Sequence, residues 1–273
     1  MSNIKFTKMQ GTGNDFVVIE ANRNRDWPKL AKAMCERRFG VGADGIILVM
    51  PSRSADIRMR MFNPDGSEAE ACGNGMRCLA RYVIDRGLVG SEEMTIETPG
   101  GLRKARAAGE FIQVDMGEPI FKAELIPVKD TCNKVINHPL RIDGRQLSLT
   151  CLSMGNPHAV WFIDEPVDKF PLEEIGPKVE NHPFFPKRIN FEIANVLDKT
   201  KIRARVWERG AGETLSCGTG ACAIAVAACL HKFCNDAADI ILPGGTLTIR
   251  WDGQGEVKLT GPAKQVFNGE WLD

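Results

Sequence analysis

Residues 55–63 read A-D-I-R-M-R-M-F-N, with apolar side chains at Ile57, Met59 and Met61 alternating with polar ones. That period of two predicts a strand with one buried face, and the P-D-G-S that follows predicts a turn. From Gly73 to about Arg86 the period changes: Met76, Leu79, Ala80, Val83 and Ile84 fall at helical spacing, and Gly87 is a natural stop. A second helix, from Ala221 to Leu230, is apolar on every side, the pattern of a helix enclosed by its core. Short strands bounded by turn residues are expected at 4–8, 17–20, 45–49, 94–97, 112–116, 159–163, 240–242, 247–251 and 257–260. The pattern predicts an α+β fold in which a mixed, curled β-sheet wraps one central helix.

The chain repeats itself. I-R-M-R-M-F (Ile57 to Phe62) matches I-R-A-R-V-W (Ile202 to Trp207), Glu68 matches Glu213 and Cys72 matches Cys217, all at an offset of 145. T-P-G-G at Thr98 matches L-P-G-G at Leu242 at an offset of 144, and G-N-D-F-V-V at Gly13 matches G-N-P-H-A-V at Gly155 at 142. Four collinear blocks at so long a period indicate a duplicated domain and not a solenoid. Two pseudo-symmetric repeat domains are expected, 1–118 plus 262–273 and 119–261, with the C-terminal stretch A-K-Q-V-F-N-G-E-W-L returning to the first.

Composition narrows the partners. Thirty-five basic residues balance thirty-five acidic ones among 273, which removes the general attraction to nucleic acid and to anionic membranes. No apolar run is long enough to span a bilayer, and the N-terminal M-S-N-I-K-F-T-K-M-Q lacks the charged and apolar leader of a secreted chain. A cytoplasmic protein with a small-molecule partner is expected. Nine cysteines, an odd number, fit free thiols in a reducing compartment. There is no C-x2-C pair, and His138, His158, His182 and His231 are not at ligand spacing, so no metal is expected.

The duplicated motifs A-C-G-N-G-M-R-C (Ala71 to Cys78) and S-C-G-T-G-A-C (Ser216 to Cys222) carry the chemistry. A cysteine at a helix start meets unpaired N–H groups and the positive end of the helix dipole, which should lower its pKa. The flanking glycines allow close approach to the backbone, making the same turn a seat for a carboxylate or phosphate. Two thiols beside anion seats suit removal of a proton from one face of a carbon and its return to the other, which is racemisation or epimerisation. No pyridoxal cofactor is then required. A redox thiol pair, a cofactor-independent racemase acting on another amino acid and a metal-dependent module are the competing readings.

At these residues the chain resembles the diaminopimelate epimerase family. The motifs are M-Q-G-T-G-N-D-F (Met9 to Phe16), G-V-G-A-D-G (Gly40 to Gly45), F-N-P-D-G-S-E-A-E-A-C-G-N-G-M-R-C (Phe62 to Cys78), M-G-N-P-H-A-V (Met154 to Val160), R-I-N-F-E (Arg188 to Glu192) and W-E-R-G-A-G-E-T-L-S-C-G-T-G-A-C (Trp207 to Cys222). The resemblance covers essentially the whole chain. It implies interconversion of L,L- and meso-diaminopimelate, a step towards lysine and peptidoglycan, without cofactor or metal, by a homodimer.

By motif the resemblance makes Cys72 and Cys217 the acid/base pair, tuned by His158 and Glu208. It gives Gly73, Asn74, Gly218 and Thr219 to the reacting carboxylate, and Asn14, Asn63, Asn156, Asn190, Glu208 and Arg209 to the rest of the substrate. The repeat places Phe16 opposite His158, so the polar residue breaks the internal symmetry. Two positions depart from the family. Gly45 stands where some members have a substrate-contacting glutamine, and Phe267 where a tyrosine supports dimerisation.

Overall fold

The computed structural model describes residues 3–21, 25–69 and 72–272. The chain divides into two compact units, Met1–Asp115 with Thr260–Asp273, and Met116–Leu259.

In the first unit the C-terminal strand Lys264–Trp271 pairs antiparallel with Ile4–Gly11, which pairs antiparallel with Asn14–Glu20. The C-terminal strand thus belongs to the first unit. Asn14–Glu20 runs parallel to Gly45–Met50, with Phe16 opposite Gly45. Ile57–Phe62, Glu93–Thr98, Gly101–Ala108 and Phe111–Asp115 complete the curl.

The second unit repeats this order. Val135–Ile142 pairs antiparallel with Arg145–Ser153, which pairs antiparallel with Pro157–Phe162. Pro157–Phe162 runs parallel to Asn190–Asp198, with His158 opposite Asn190. Lys201–Glu208, Ala237–Leu242 and Gly245–Arg250 follow. Even the second parallel pairing recurs, Ile57 with Ile96 and Ile202 with Ile240.

Each curled sheet holds one helix, α2 (Gly73–Asp85) in the first unit and α4 (Gly218–Leu230) in the second. Met76, Leu79, Ala80 and Val83 of α2 are buried, as their spacing requires. In α4 every residue from Gly220 to Ala228 is buried, which explains an apolar helix with no polar face. Each buried Ile or Val side chain there contributes roughly 1.5–3 kcal/mol. α4 starts three residues before the periodicity suggests, because Gly-Thr-Gly forms its first turn.

Two helices absent from the expected pattern cover the sheets from the other side. α1 (Trp27–Cys35) buries Trp27, Ala31 and Met34 against Val17, Ile19, Ile46 and Leu48. α3 (Leu172–Glu180) buries Leu172, Ile175 and Val179 against Phe191 and Ile193. The parallel strands therefore lie between helices on both faces, and their sequences run F-V-V-I and G-I-I-L-V without alternation. No helix among the described residues is long and apolar enough to cross a membrane.

Candidate active site

The duplicated hairpin before each cysteine is braced in the same way. Arg60 reaches Glu68 with two hydrogen bonds, Nε at 2.7 Å and Nη2 at 2.9 Å. Arg205 reaches Glu213 with two at 2.7 Å, and its Nη1 also donates to the carbonyls of Val167 and Phe170 at 2.8 Å. The chain then enters a helix through the cysteine itself. Cys72 is the N-cap of α2, extended at φ −140 and ψ 115, and its sulfur accepts from the amide of Gly75 at 3.4 Å. Cys217 caps α4 at φ −116 and ψ 116 and accepts from Gly220 at 3.3 Å. The cap carbonyls of Cys72 and Cys217 take the amides of Met76 and Ala221. By position, the amides of Gly73, Asn74, Gly218 and Thr219 have no acceptor in their own helix and point from its start, as an anion seat requires.

The glycines at the third helical position admit a neighbour from the sheet. A Cβ on Gly75 would lie 3.3 Å from Ile47 and 3.1 Å from Met59, whereas one on Gly220 would lie 3.1 Å from the carboxyl of Glu192. The two helix starts therefore rest on opposite chemistry.

Around Cys72 the polar groups form a chain. Asp44, held by Arg37 at 2.7 Å, accepts from Asn14 Nδ2 at 2.7 Å and from the amide of Asp15 at 3.0 Å. This turns Asn14 Oδ1 towards the helix start, where Asn74 Nδ2 donates to it at 3.2 Å and the Cys72 thiol at 3.9 Å. Asn74 Oδ1 accepts from the wholly buried Arg77 at 2.9 Å.

Around Cys217 the partners differ. Thr219 Oγ1 lies 3.4 Å from the sulfur. His158 and Glu192, each 0% exposed, meet at 2.6 Å through Nδ1 and Oε1, and His158 Nε2 lies 3.0 Å from Asn156 Oδ1. Asn190 binds the carbonyl of Pro157 at 2.7 Å and the amide of Arg209 at 2.8 Å. Glu180, buried, holds the next turn by accepting from Gly210 N at 2.9 Å and Trp207 Nε1 at 2.8 Å. Glu208 accepts from Thr214 at 2.6 Å, and Arg209 Nη1 donates to Lys187 O at 3.1 Å.

The expected fall in thiol pKa does not hold for Cys217. Burial pushes its pKa well above the usual 9.0, and the charge of Glu208 pushes the same way, while Thr219 and the amide of Gly220 lower it too little to compensate. The enclosing sheet outweighs the helix start, and Cys217 rests as a thiol.

The structure brings Asn14, Gly73 and Asn74 together around Cys72, and Glu208, Gly218 and Thr219 around Cys217. His158 approaches the turn of Cys217 through Glu192. Asn190 spends both ends of its amide on its own unit, fixing the turn that carries Glu208 and Arg209. Asn63 lies in the hairpin turn, donating to Ser67 Oγ at 3.0 Å. Position 45 is the repeat counterpart of Asn190, yet a Cβ there would meet the carbonyl of Phe62 at 2.9 Å, so only glycine fits without movement. Sequence reasoning missed Asp44, Glu180 and Glu192. The last sits in R-I-N-F-E, and its signal was the counterpart at Ile47, where the repeat puts an aliphatic side chain.

A family model described as "Diaminopimelate epimerase" matches the chain twice, over residues 6–122 and 150–266. The chain is 48% identical over 275 residues to the "Diaminopimelate epimerase" of Acetivibrio thermocellus, covering 98% of each chain. It is 46% identical over 275 residues to the protein of that name from Methanococcus maripaludis, covering 98% of this chain and 99% of the relative. Among solved structures it is similar to a PhzF family phenazine biosynthesis protein of Bacillus anthracis, with a TM-score of 0.72 at 19% identity over the whole of both chains. It is also similar to a hydroxyproline epimerase of Agrobacterium vitis with bound trans-4-OH-L-proline, with a TM-score of 0.70 at 14% identity, covering 99% of this chain and 91% of that one. At these identities the two structures speak for the fold alone.

Proposed function

The chain belongs to the diaminopimelate epimerase family, and from that premise we propose that it interconverts L,L-diaminopimelate and meso-diaminopimelate by a two-base mechanism without cofactor. Cys72 and Cys217 are the two bases. The reaction requires one sulfur to take the α-proton and the other to return a proton to the opposite face of the same carbon. Because burial holds Cys217 as the thiol, it starts as the acid when Cys72 is the base, and the roles exchange for the other isomer. Negative charge developing on the reacting carboxylate is met by the amides of Gly73, Asn74, Gly218 and Thr219, preorganised by their helix starts.

Arg209 forks onto the distal carboxylate, and Glu208 pairs with an amino group. Asn14, Asn63 and Asn156 read the remaining polar groups, so the handedness of the distal centre is checked before chemistry. Asn190 acts by fixing the turn of Arg209. Such an activity belongs in the cytoplasm, in the supply of lysine and of peptidoglycan precursors. A homodimer follows from the resemblance. The half-exposed Phe267, edge-on to Phe6 at 6.0 Å, and the exposed Val266 offer it an apolar patch, and sedimentation of the purified chain would reveal a monomer if this is wrong.

The observation that carries the reading is the pair of cysteines capping equivalent helices, each accepting an amide at its own first turn. The test is a panel of amino acids offered to the protein, with stereoisomers resolved by chiral chromatography. Turnover of diaminopimelate alone is expected; turnover of proline but not diaminopimelate would reject the assignment.

A further inference from the structure

Asn14 and Asn156 are repeat counterparts, yet they present opposite ends of their amides. Asn14 gives its NH2 group to Asp44 and turns its oxygen to Asn74 and Cys72. Asn156 gives its oxygen to His158 Nε2, and its Nδ2 has no hydrogen-bond partner among the described residues. An amide oxygen only accepts, so His158 Nε2 carries the proton. The other ring nitrogen, Nδ1, lies 2.6 Å from Glu192 Oε1, with both side chains wholly enclosed. Either the ring is neutral and Glu192 donates, or the ring is a cation and Glu192 is a carboxylate. Glu192 Oε2 weighs for the neutral pair, because it is buried with no hydrogen-bond partner among the described residues, even though the amide of Ala159 also acts on this carboxyl. A carboxylate with one oxygen unsolvated in that interior is far costlier than a neutral acid whose carbonyl goes unpaired.

We propose that Glu192 is a positioning residue, a neutral carboxylic acid that donates to His158 Nδ1 and through that ring holds the Asn156 amide with its NH2 group towards a carboxylate oxygen of the substrate. Burial raises the Glu192 carboxyl more than the neighbouring His158 and the amide of Ala159 draw it down, which agrees with this state. A neutral Glu192 also spares the Cys217 thiol a nearby negative charge. The first unit has no such relay: Phe16 and Ile47 occupy the equivalent places, and Asp44 sets the asparagine the other way.

The substrate half of this inference rests on the proposed function, so its test has two independent readouts on the full chain. The first is 15N NMR of the histidine rings in the unliganded protein at neutral pH, with His158 assigned by the signal missing from H158N. A neutral ring protonated at Nε2 is expected. A doubly protonated ring, or a neutral ring protonated at Nδ1, would overturn the proposal. The second is steady-state kinetics with diaminopimelate. Glu192→Leu keeps the volume but removes the donor and should raise KM about tenfold, the scale of one misdirected hydrogen bond, with a smaller change in kcat. Glu192→Gln can donate from its amide to Nδ1 and should restore KM to within about threefold of the parent. Equal damage from both substitutions, or an unchanged KM in Glu192→Leu, would contradict it. Absence of diaminopimelate turnover in the parent protein would reject the proposed function instead, and the NMR result would still decide the protonation of the pair.

Discussion

The first turn of α2 rests on Ile47, with Phe16 on the adjoining strand; the first turn of α4 rests on Glu192, with His158 on the adjoining strand. The rest of each helix start is common to both units: hairpin, bidentate Arg–Glu brace, capping cysteine, third-position glycine. Duplication thus preserved the capped helix start, and divergence changed what lies beneath it. Under the proposed reaction two equivalent thiols serve one α-carbon, whereas a long substrate with a distinct far end needs unequal walls. The first unit supplies an amide oxygen beside Cys72 through Asp44 and Asn14. The second supplies a buried acid and imidazole, and a thiol kept protonated.

Removing either cysteine erases the shared half of the comparison. Cys72→Ala and Cys217→Ala should each lower epimerisation at least about 10³-fold. Their folds should survive, because the capping interaction that each loses is worth about 1 kcal/mol. Near-normal turnover in either variant, with a cooperative melt confirming the fold, would show that the sulfur there is not a proton carrier.

Copying the divergent half into the wrong unit should be damaging. Ile47→Glu puts a carboxyl beneath α2 with Phe16 where its imidazole partner should be, and should cost about 3 kcal/mol or more. Urea denaturation reads this directly. A loss below about 1 kcal/mol would mean that the first unit tolerates the charge and that the asymmetry is incidental.

The state of Cys217 gives a pH test. Its raised pKa leaves less thiolate at about pH 8 than an ordinary cysteine would have, and that fraction grows about tenfold per pH unit until the pKa is reached. Alkylation of Cys217 in the unliganded protein, followed by peptide mass spectrometry, should therefore keep rising past about pH 9. A plateau below about pH 8 would place the thiolate at neutral pH and reverse the assignment of Cys217 as the resting acid.

The smallest effect compares the two braces. Arg60→Ala removes a partly exposed pair and should cost about 0–1 kcal/mol. Arg205→Ala also leaves the carbonyls of Val167 and Phe170 without their donor and should cost about 1–3 kcal/mol. Equal costs in thermal or urea unfolding would mean that the extra bonds contribute nothing.

Much of this was legible in the chain because it is written twice. Alternation marked Ile57–Phe62, helical spacing marked Gly73–Asp85, and the collinear blocks revealed the second copy. The flanking helices were not legible. Leu172–Glu180 follows Pro171 and contains Pro177, punctuation that reads as a loop, and Trp27–Cys35 is only nine residues long. Both are held by packing on the sheet more than by their own propensity. Glu192 escaped for a different reason. In N-F-E-I-A-N-V a glutamate looks like the solvent side of a strand, and only helices on both faces and His158, 34 positions away, make it a buried acid. The direction of the Cys217 shift was hidden likewise, because the helix start is local and the enclosing sheet is not.

Two thiols dividing one proton transfer leave an isotopic signature. It is read by turning over L,L-diaminopimelate in deuterated water and following the isotopic content of each stereoisomer from the earliest time points. Two separate carriers predict that the first meso product already holds solvent deuterium at the inverted carbon, while the unreacted L,L isomer is still protiated. Product that keeps the original proton, or label entering substrate and product equally from the start, would mean that a single group carries the proton and that the pairing of Cys72 with Cys217 is wrong.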